Sequence, residues 1–184
     1  MRETVRIQPG EFFATDRDMS LVTVLGSCVA ACVRDRESGI GGMNHFMLPR
    51  SRGPAGPVSA SARYGVNAME LLINELIRLG ARRAKLEAKV FGGGNVLAGV
   101  TLLNVGEMNA QFVCDFLREE KIPVVASDLQ GTVSRQVRYF PACGRAMVRE
   151  IGRRDDFAIL EGEVRYGERL RDLPLAGDVE FFQS

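Results

Sequence analysis

The chain carries a single histidine, His45, and no pair of cysteines separated by two residues. Structural zinc sites need such clusters, so a structural metal is disfavoured, and any chemistry that requires imidazole must use His45. No stretch approaches the roughly 18 consecutive apolar residues that span a bilayer. Residues Met1 to Phe13 interleave Arg2, Glu3, Arg6 and Glu11 with apolar side chains, which is not a secretory pattern. With 24 basic against 23 acidic side chains the net charge is +1, which argues against a protein whose main task is gripping nucleic-acid phosphates. Internal repeats and long low-complexity runs are absent. Four cysteines (Cys28, Cys32, Cys114 and Cys143) in a chain without a secretion pattern point to reduced thiols and a cytoplasmic protein.

What is present suits one compact unit. The 184 residues are 46% hydrophobic, enough for a sizeable core, and the expectation is a single domain over 1–184. Its core spans about 4–151, with 152–184 as a C-terminal appendage in which the pattern weakens into charged residues and short apolar bursts. Leu21 to Leu25 is a β-branched apolar run ending at Gly26, the mark of a buried strand and a turn. Cys28 to Val33 is a second strand, Arg34 to Gly39 a hairpin connection, and Ile40 to Leu48 the returning strand. Arg50 to Pro57 gives Ser, Gly and Pro in quick succession, a flexible surface loop. Arg63 to Leu79 is a helix whose buried face holds Val66, Met69, Leu72, Ile73, Leu76 and Ile77. Leu86, Ala88 and Val90 alternate with polar residues in a strand that runs into Gly92-Gly93-Gly94-Asn95. A second helix starts near Asn104, capped by Asn104 with Glu107 three residues on, and ends at Pro123. Strands follow at Val124 to Leu129 and Ser134 to Phe140, joined through Gln130-Gly131, and at Ala146 to Ile151. Strands, helix, strand, helix, strands without strict alternation make an α+β fold with mixed or antiparallel sheet packed with two main helices.

Chemistry concentrates at Gly26-Ser27-Cys28. A cysteine placed after Gly-Ser where a strand ends has its sulfur at a backbone turn, with N–H groups able to stabilise a thiolate and then an oxyanion. The alternative is a small buried apolar residue. His45 lies on the strand that returns beside Cys28, so hairpin pairing can bring imidazole to sulfur and generate a nucleophile, or else His45 is a core histidine bonded to a carbonyl. Thr23, Ser27 and Asn44 are the candidates for orienting its ring. Such an activated thiol should titrate clearly below the ordinary value of about 8.5. Cys28 and Cys32 share a strand face but lie about 13 Å apart, too far for a disulfide. Cys114 and Cys143 are assigned structural roles. The glycine run lacks both the Lys-Ser/Thr of a P-loop and GxGxxG spacing, and reads as architecture walling the site. Arg34, Arg36, Arg50, Arg52, Arg82 and Arg83 are taken for solvated faces.

Gly26-Ser27-Cys28-Val29, then His45 and Met47-Leu48-Pro49, resembles the CheD family of bacterial chemotaxis proteins. So do Arg63-Tyr64-Gly65, Phe91-Gly92-Gly93-Gly94 and Asn104-Val105-Gly106-Glu107, in the same order between Thr4 and Ile151. The resemblance implies a chemoreceptor glutamine deamidase with Cys28 as nucleophile, His45 as general base and a threonine, here Thr23, as the third residue. It further implies a layered sandwich similar to the catalytic domain of deamidating toxins, and docking to CheC-type phosphatases. The sequence departs from the family pattern at Met108, Gln130 and after Gly152. The expected reaction is hydrolysis of a receptor glutamine side-chain amide, with Gly26 and Ser27 at the oxyanion turn and no metal or organic cofactor. The rival expectations are a non-catalytic binding module for a CheC-type phosphatase and thiol redox regulation.

Overall fold

The computed structural model describes residues 2–49, 60–96 and 104–172. The loop expected at Arg50 to Pro57, with Arg50 and Arg52, lies outside the described residues, as does the chain beyond 172. Among the described residues nine strands form two sheets. The first has the order β1 (Thr4–Arg6), β3 (Ser20–Leu25), β8 (Arg135–Phe140), β9 (Arg145–Glu150). The second has the order β2 (Phe12–Thr15), β5 (Gly41–Asn44), β4 (Val29–Asp35), β6 (Leu86–Gly92), β7 (Val124–Leu129). Each sheet contains one parallel pair, β1 with β3 and β6 with β7, and is otherwise antiparallel. Helices α1 (Ala60–Arg78) and α2 (Val105–Glu119) cover the outer face of the second sheet. This is an α+β layered sandwich.

The side-chain alternation of β4 shows why the layers hold. Val29, Ala31 and Val33 face the helices and pack with Leu72, Ile73, Leu76, Val113 and Leu117. Cys28, Ala30 and Cys32 face the first sheet and pack with Leu21, Leu25, Val137 and Tyr139. A strand covered on both faces reads as a continuous apolar run, which is how it appears in the sequence. α2 begins as its capping signal indicates: the Asn104 side chain accepts from the Glu107 N–H at 3.1 Å and donates to the Glu107 carboxylate at 2.7 Å.

Several expectations need correction. Gln130 and Gly131, with φ of 65° and 81°, join β7 to β8 as expected, and the connection carries the chain from one sheet to the other. Arg135 ties this connection down by donating to the Asp128 and Gln130 carbonyls. Ile77 is 39% exposed, because the α1 stripe buried against the sheet ends at Leu76. Arg34 is not a solvated side chain: it donates to the Pro141 and Arg36 carbonyls and pairs with Glu87 at 3.4 Å. Arg82 is solvated as expected, while it also reaches the buried carboxylate of Asp35 and that of Glu37. Cys143 is exposed in the β8–β9 turn rather than packed. The largest difference is at the C-terminal end, where residues Arg153–Asp172 form a 20-residue helix, α3. Its buried stripe is Leu160, Glu163, Tyr166 and Leu170. A carboxylate in the middle of the stripe and glycines at 162 and 167 erase the apolar periodicity that marks a helix in sequence.

Candidate active site

Between β3 and β4 the chain leaves one sheet and joins the other, so Gly26, Ser27 and Cys28 belong to neither ladder. Their backbone groups must therefore find partners elsewhere. All three carbonyls do so on one side. Gly94 N–H donates to Gly26 O and Gly93 N–H to Cys28 O, each at 2.8 Å. The Asn109 side chain donates to Ser27 O at 2.8 Å. Asn109, fully buried on α2, also accepts from the Leu48 N–H at 2.9 Å, tying the turn to the segment after His45. The glycine run thus does wall the site. At Gly92, with φ of 100°, a Cβ would lie 2.2 Å from the Cys28 carbonyl oxygen, so only glycine allows this approach.

With the carbonyls held, the three N–H groups point the opposite way and converge on one carboxylate. Glu163 accepts from Gly26 N at 2.7 Å, Ser27 N at 2.7 Å and Cys28 N at 3.1 Å, and from Ser27 Oγ at 2.6 Å. A donor cluster of this kind is built to hold a negatively charged oxygen. A Cβ at Gly26 would sit 3.0 Å from Glu163 Oε2, so a side chain here would push the carboxylate by a few tenths of an ångström.

The hairpin delivers His45 as its pairing implies. β4 and β5 pair antiparallel with Cys32 opposite Met43, and an isolated bridge joins Val29 to Phe46. Continuing that register places His45 opposite Ala30, which makes Cys28 its diagonal neighbour on the same face. Cys28 Sγ, a ring nitrogen of His45 and a Glu163 carboxylate oxygen lie within 4.8 Å of one another. Thr23 faces the same layer from β3. Its hydroxyl donates to Ile7 O at 2.8 Å and lies 2.7 Å from His45 Nδ1. A hydroxyl has one proton, and Ile7 takes it, so the Nδ1 contact requires an N–H on the ring. That fixes the tautomer with Nε2 as a lone-pair acceptor, and among the described residues the buried Nε2 has no hydrogen-bond partner. Of the other orienting candidates, Asn44 accepts instead from Ala31 N–H, and Ser27 is bonded to Glu163.

The electrostatics describe a site at rest. Burial, followed by the charge and hydrogen bond of Glu163, pushes the Cys28 thiol well above its ordinary value. This overturns the expectation of a depressed thiol while Glu163 is seated. Burial lowers His45, against the opposing pull of Glu163. The Cys28, His45 and Glu163 donor atoms are of the type that binds zinc, but both Glu163 oxygens already accept from N–H and O–H groups, which suit an anion rather than a cation. Cys32 is a free thiol in the same core layer as Cys28.

A buried thiol beside an oriented imidazole and a cluster of converging N–H groups is the arrangement cysteine-dependent acyl-transfer enzymes use. A family model for CheD chemotactic sensory transduction matches residues 47–150. A protein of Thiobacillus denitrificans is 57% identical over 98% of this chain and 90% of its own length. Relatives from Janthinobacterium sp. and Herminiimonas arsenicoxydans are 54% and 53% identical at the same coverage. All three carry the name "Probable chemoreceptor glutamine deamidase CheD". The solved structure of the Bacillus licheniformis protein YfiH gives a loose overlay, with a TM-score of 0.42 and 14% identity over 66% of this chain and 51% of its own. The chain belongs to the CheD family. The matched segment 47–150 contains Asn109 and the glycine run but neither Cys28 nor His45, so the geometry above is what places those two together.

Proposed function

We propose that this chain hydrolyses the side-chain amide of chemoreceptor glutamines, with Cys28 as nucleophile, His45 as general base and Thr23 as the residue that orients the imidazole. The observation that carries the reading is the shared focus of Cys28 Sγ, His45 and the three N–H groups of residues 26–28. His45 Nε2 removes the thiol proton and the sulfur attacks the carboxamide carbon. The N–H groups of Gly26, Ser27 and Cys28 hold the resulting oxyanion. The imidazolium returns its proton to the departing nitrogen, and ammonia leaves a thioester. Water activated by the same imidazole then hydrolyses the thioester to glutamate and restores the thiol.

The family names borne by the relatives supply the substrate class, and four unbridged cysteines suit a cytoplasmic enzyme. As a finer partner, the reading includes docking to a CheC-type phosphatase, checked by a pull-down with the Cys28→Ala chain. The decisive experiment is mass spectrometry of receptor peptides after incubation. Wild type should add about one dalton at glutamine and release ammonia, while Cys28→Ala should do neither and keep the native circular dichroism. Full activity in Cys28→Ala would end the proposal.

A further inference from the structure

Nothing in the chemistry above needs Glu163, yet its carboxylate fills the oxyanion seat. It is 3% exposed and bonded to three backbone N–H groups and a hydroxyl, and it forms no ion pair among the described residues. Burying an unpaired carboxylate is unfavourable, and a helix meant only to cover the core would place an apolar residue there. A glutamate side chain with its carboxylate beside Cys28 Sγ is, chemically, the product of deamidating a glutamine at that point.

The helix that delivers Glu163 is held unlike the rest of the molecule. Among its described side chains only Leu160, Glu163, Tyr166 and Leu170 are buried, whereas Phe157 is 75% and Val164 49% exposed. Gly162 lies inside α3 with nothing within 4 Å of where its Cβ would be, so no close packing requires a residue that weakens helices. Open space flanks the helix on both sides. A cavity of about 200 Å³ lies between it and Ser27, Met47, Gly94 and Val105, and one of about 1310 Å³ lies toward Arg6, His45 and Arg149. Tyr166 adds a hydrogen bond to Tyr64 of α1.

We propose that α3 is a tethered occupant of the glutamine subsite: Glu163 sits as a product carboxylate, and the helix must lift off before a substrate side chain reaches Cys28. This rests on the deamidase reading above. Burial raises the Cys28 thiol most, and Glu163 adds to that shift by disfavouring the thiolate it faces.

The test uses the full chain and four variants. Alkylation of Cys28 by iodoacetamide, followed peptide by peptide so that exposed Cys143 is counted separately, should run about tenfold or more faster in Glu163→Ala than in wild type. Gly162→Pro, which breaks α3 at an exposed position, should do the same without touching the seat. Unchanged rates in both overturn the occlusion. In Glu163→Gln the carboxamide sits in the seat itself: Cys28 Sγ bonds to the side-chain carbon, ammonia leaves, and water returns glutamate. Residue 163 should therefore gain about one dalton, and the Glu163→Gln/Cys28→Ala chain should keep its amide. Retention of the amide by a chain that deamidates receptors overturns the product placement. Receptor deamidation, measured in parallel, separates the two claims. Faster alkylation with no receptor deamidation by any chain sinks the deamidase reading and leaves the occlusion. Active wild type with unchanged alkylation does the reverse.

Discussion

The two sides of the site are held by different physics. Cys28 and His45 belong to a hairpin buried on both faces, with Val29, Ala31, Val33 and Met43 all fully covered. α3 meets them with one narrow stripe whose central contact is a charge held by hydrogen bonds rather than by packing. A close-packed core fixes positions because any shift opens voids. A narrow stripe with open space on both sides and Gly162 at an unpacked position leaves the helix few packing contacts to hold it in place. The proposed reacting groups thus sit in a close-packed hairpin, and the proposed cover on a sparsely packed helix.

The fixed half is broken most severely at its relay. His45→Gln should lower kcat by about 10²–10⁴-fold, since a general base of this type contributes that much. Thr23→Val, which frees Nδ1 to lose its proton or turn, should lower kcat by about 10–100-fold with little change in KM, and Thr23→Ser should restore most of it. Both are read from steady-state ammonia release. An equal loss in Thr23→Ser and Thr23→Val would show that packing, not the hydroxyl, matters.

The scaffold under that half is tested at Asp35. Burial disfavours its charge, but N–H donation from Arg82, Glu37 and Ser38 and the Arg82 guanidinium outweigh it and hold the carboxyl far below the usual range. A depressed folded-state value means that the ionised form stabilises the fold. The contribution is complete above the unfolded carboxylate value of about 3.9 and fades as pH falls below it. Asp35→Asn should cost about 2 kcal/mol in urea unfolding at pH 7, and its gap to wild type should narrow at pH 3. A gap that widens in acid would refute this assignment.

The smallest effect sharpens the cover. Gly162→Ala should favour α3 by about 0.5–1 kcal/mol and slow Cys28 alkylation by a few-fold, the opposite sense to Gly162→Pro. Alkylation that quickens in Gly162→Ala would mean the helix seats in some other way.

The hairpin was legible because its signals are local: an apolar run, a polar turn and a returning strand fix a register, and the register fixes the Cys28–His45 diagonal. The α2 cap was legible for the same reason, from Asn104 and Glu107 three residues apart. Asn109 left no such trace. It lies on a helix 82 residues from the Ser27 carbonyl it holds, and a buried asparagine has the same sequence signature as an exposed one. α3 was hidden by its own chemistry, since the glutamate in its buried stripe reads as a surface charge until its partners are seen.

By itself the sequence determined seven of the nine described strands, the two covering helices and the hairpin that brings Cys28 and His45 together, because periodicity, caps and turns are set by neighbouring side chains. Only the tertiary structure decided that Thr23 reaches across from the other sheet, that three N–H groups share one focus, and that Glu163 occupies it. The last of these joins residues 137 positions apart, and the free energy of such a contact lies in the desolvated donors waiting at its far end, which no local pattern encodes.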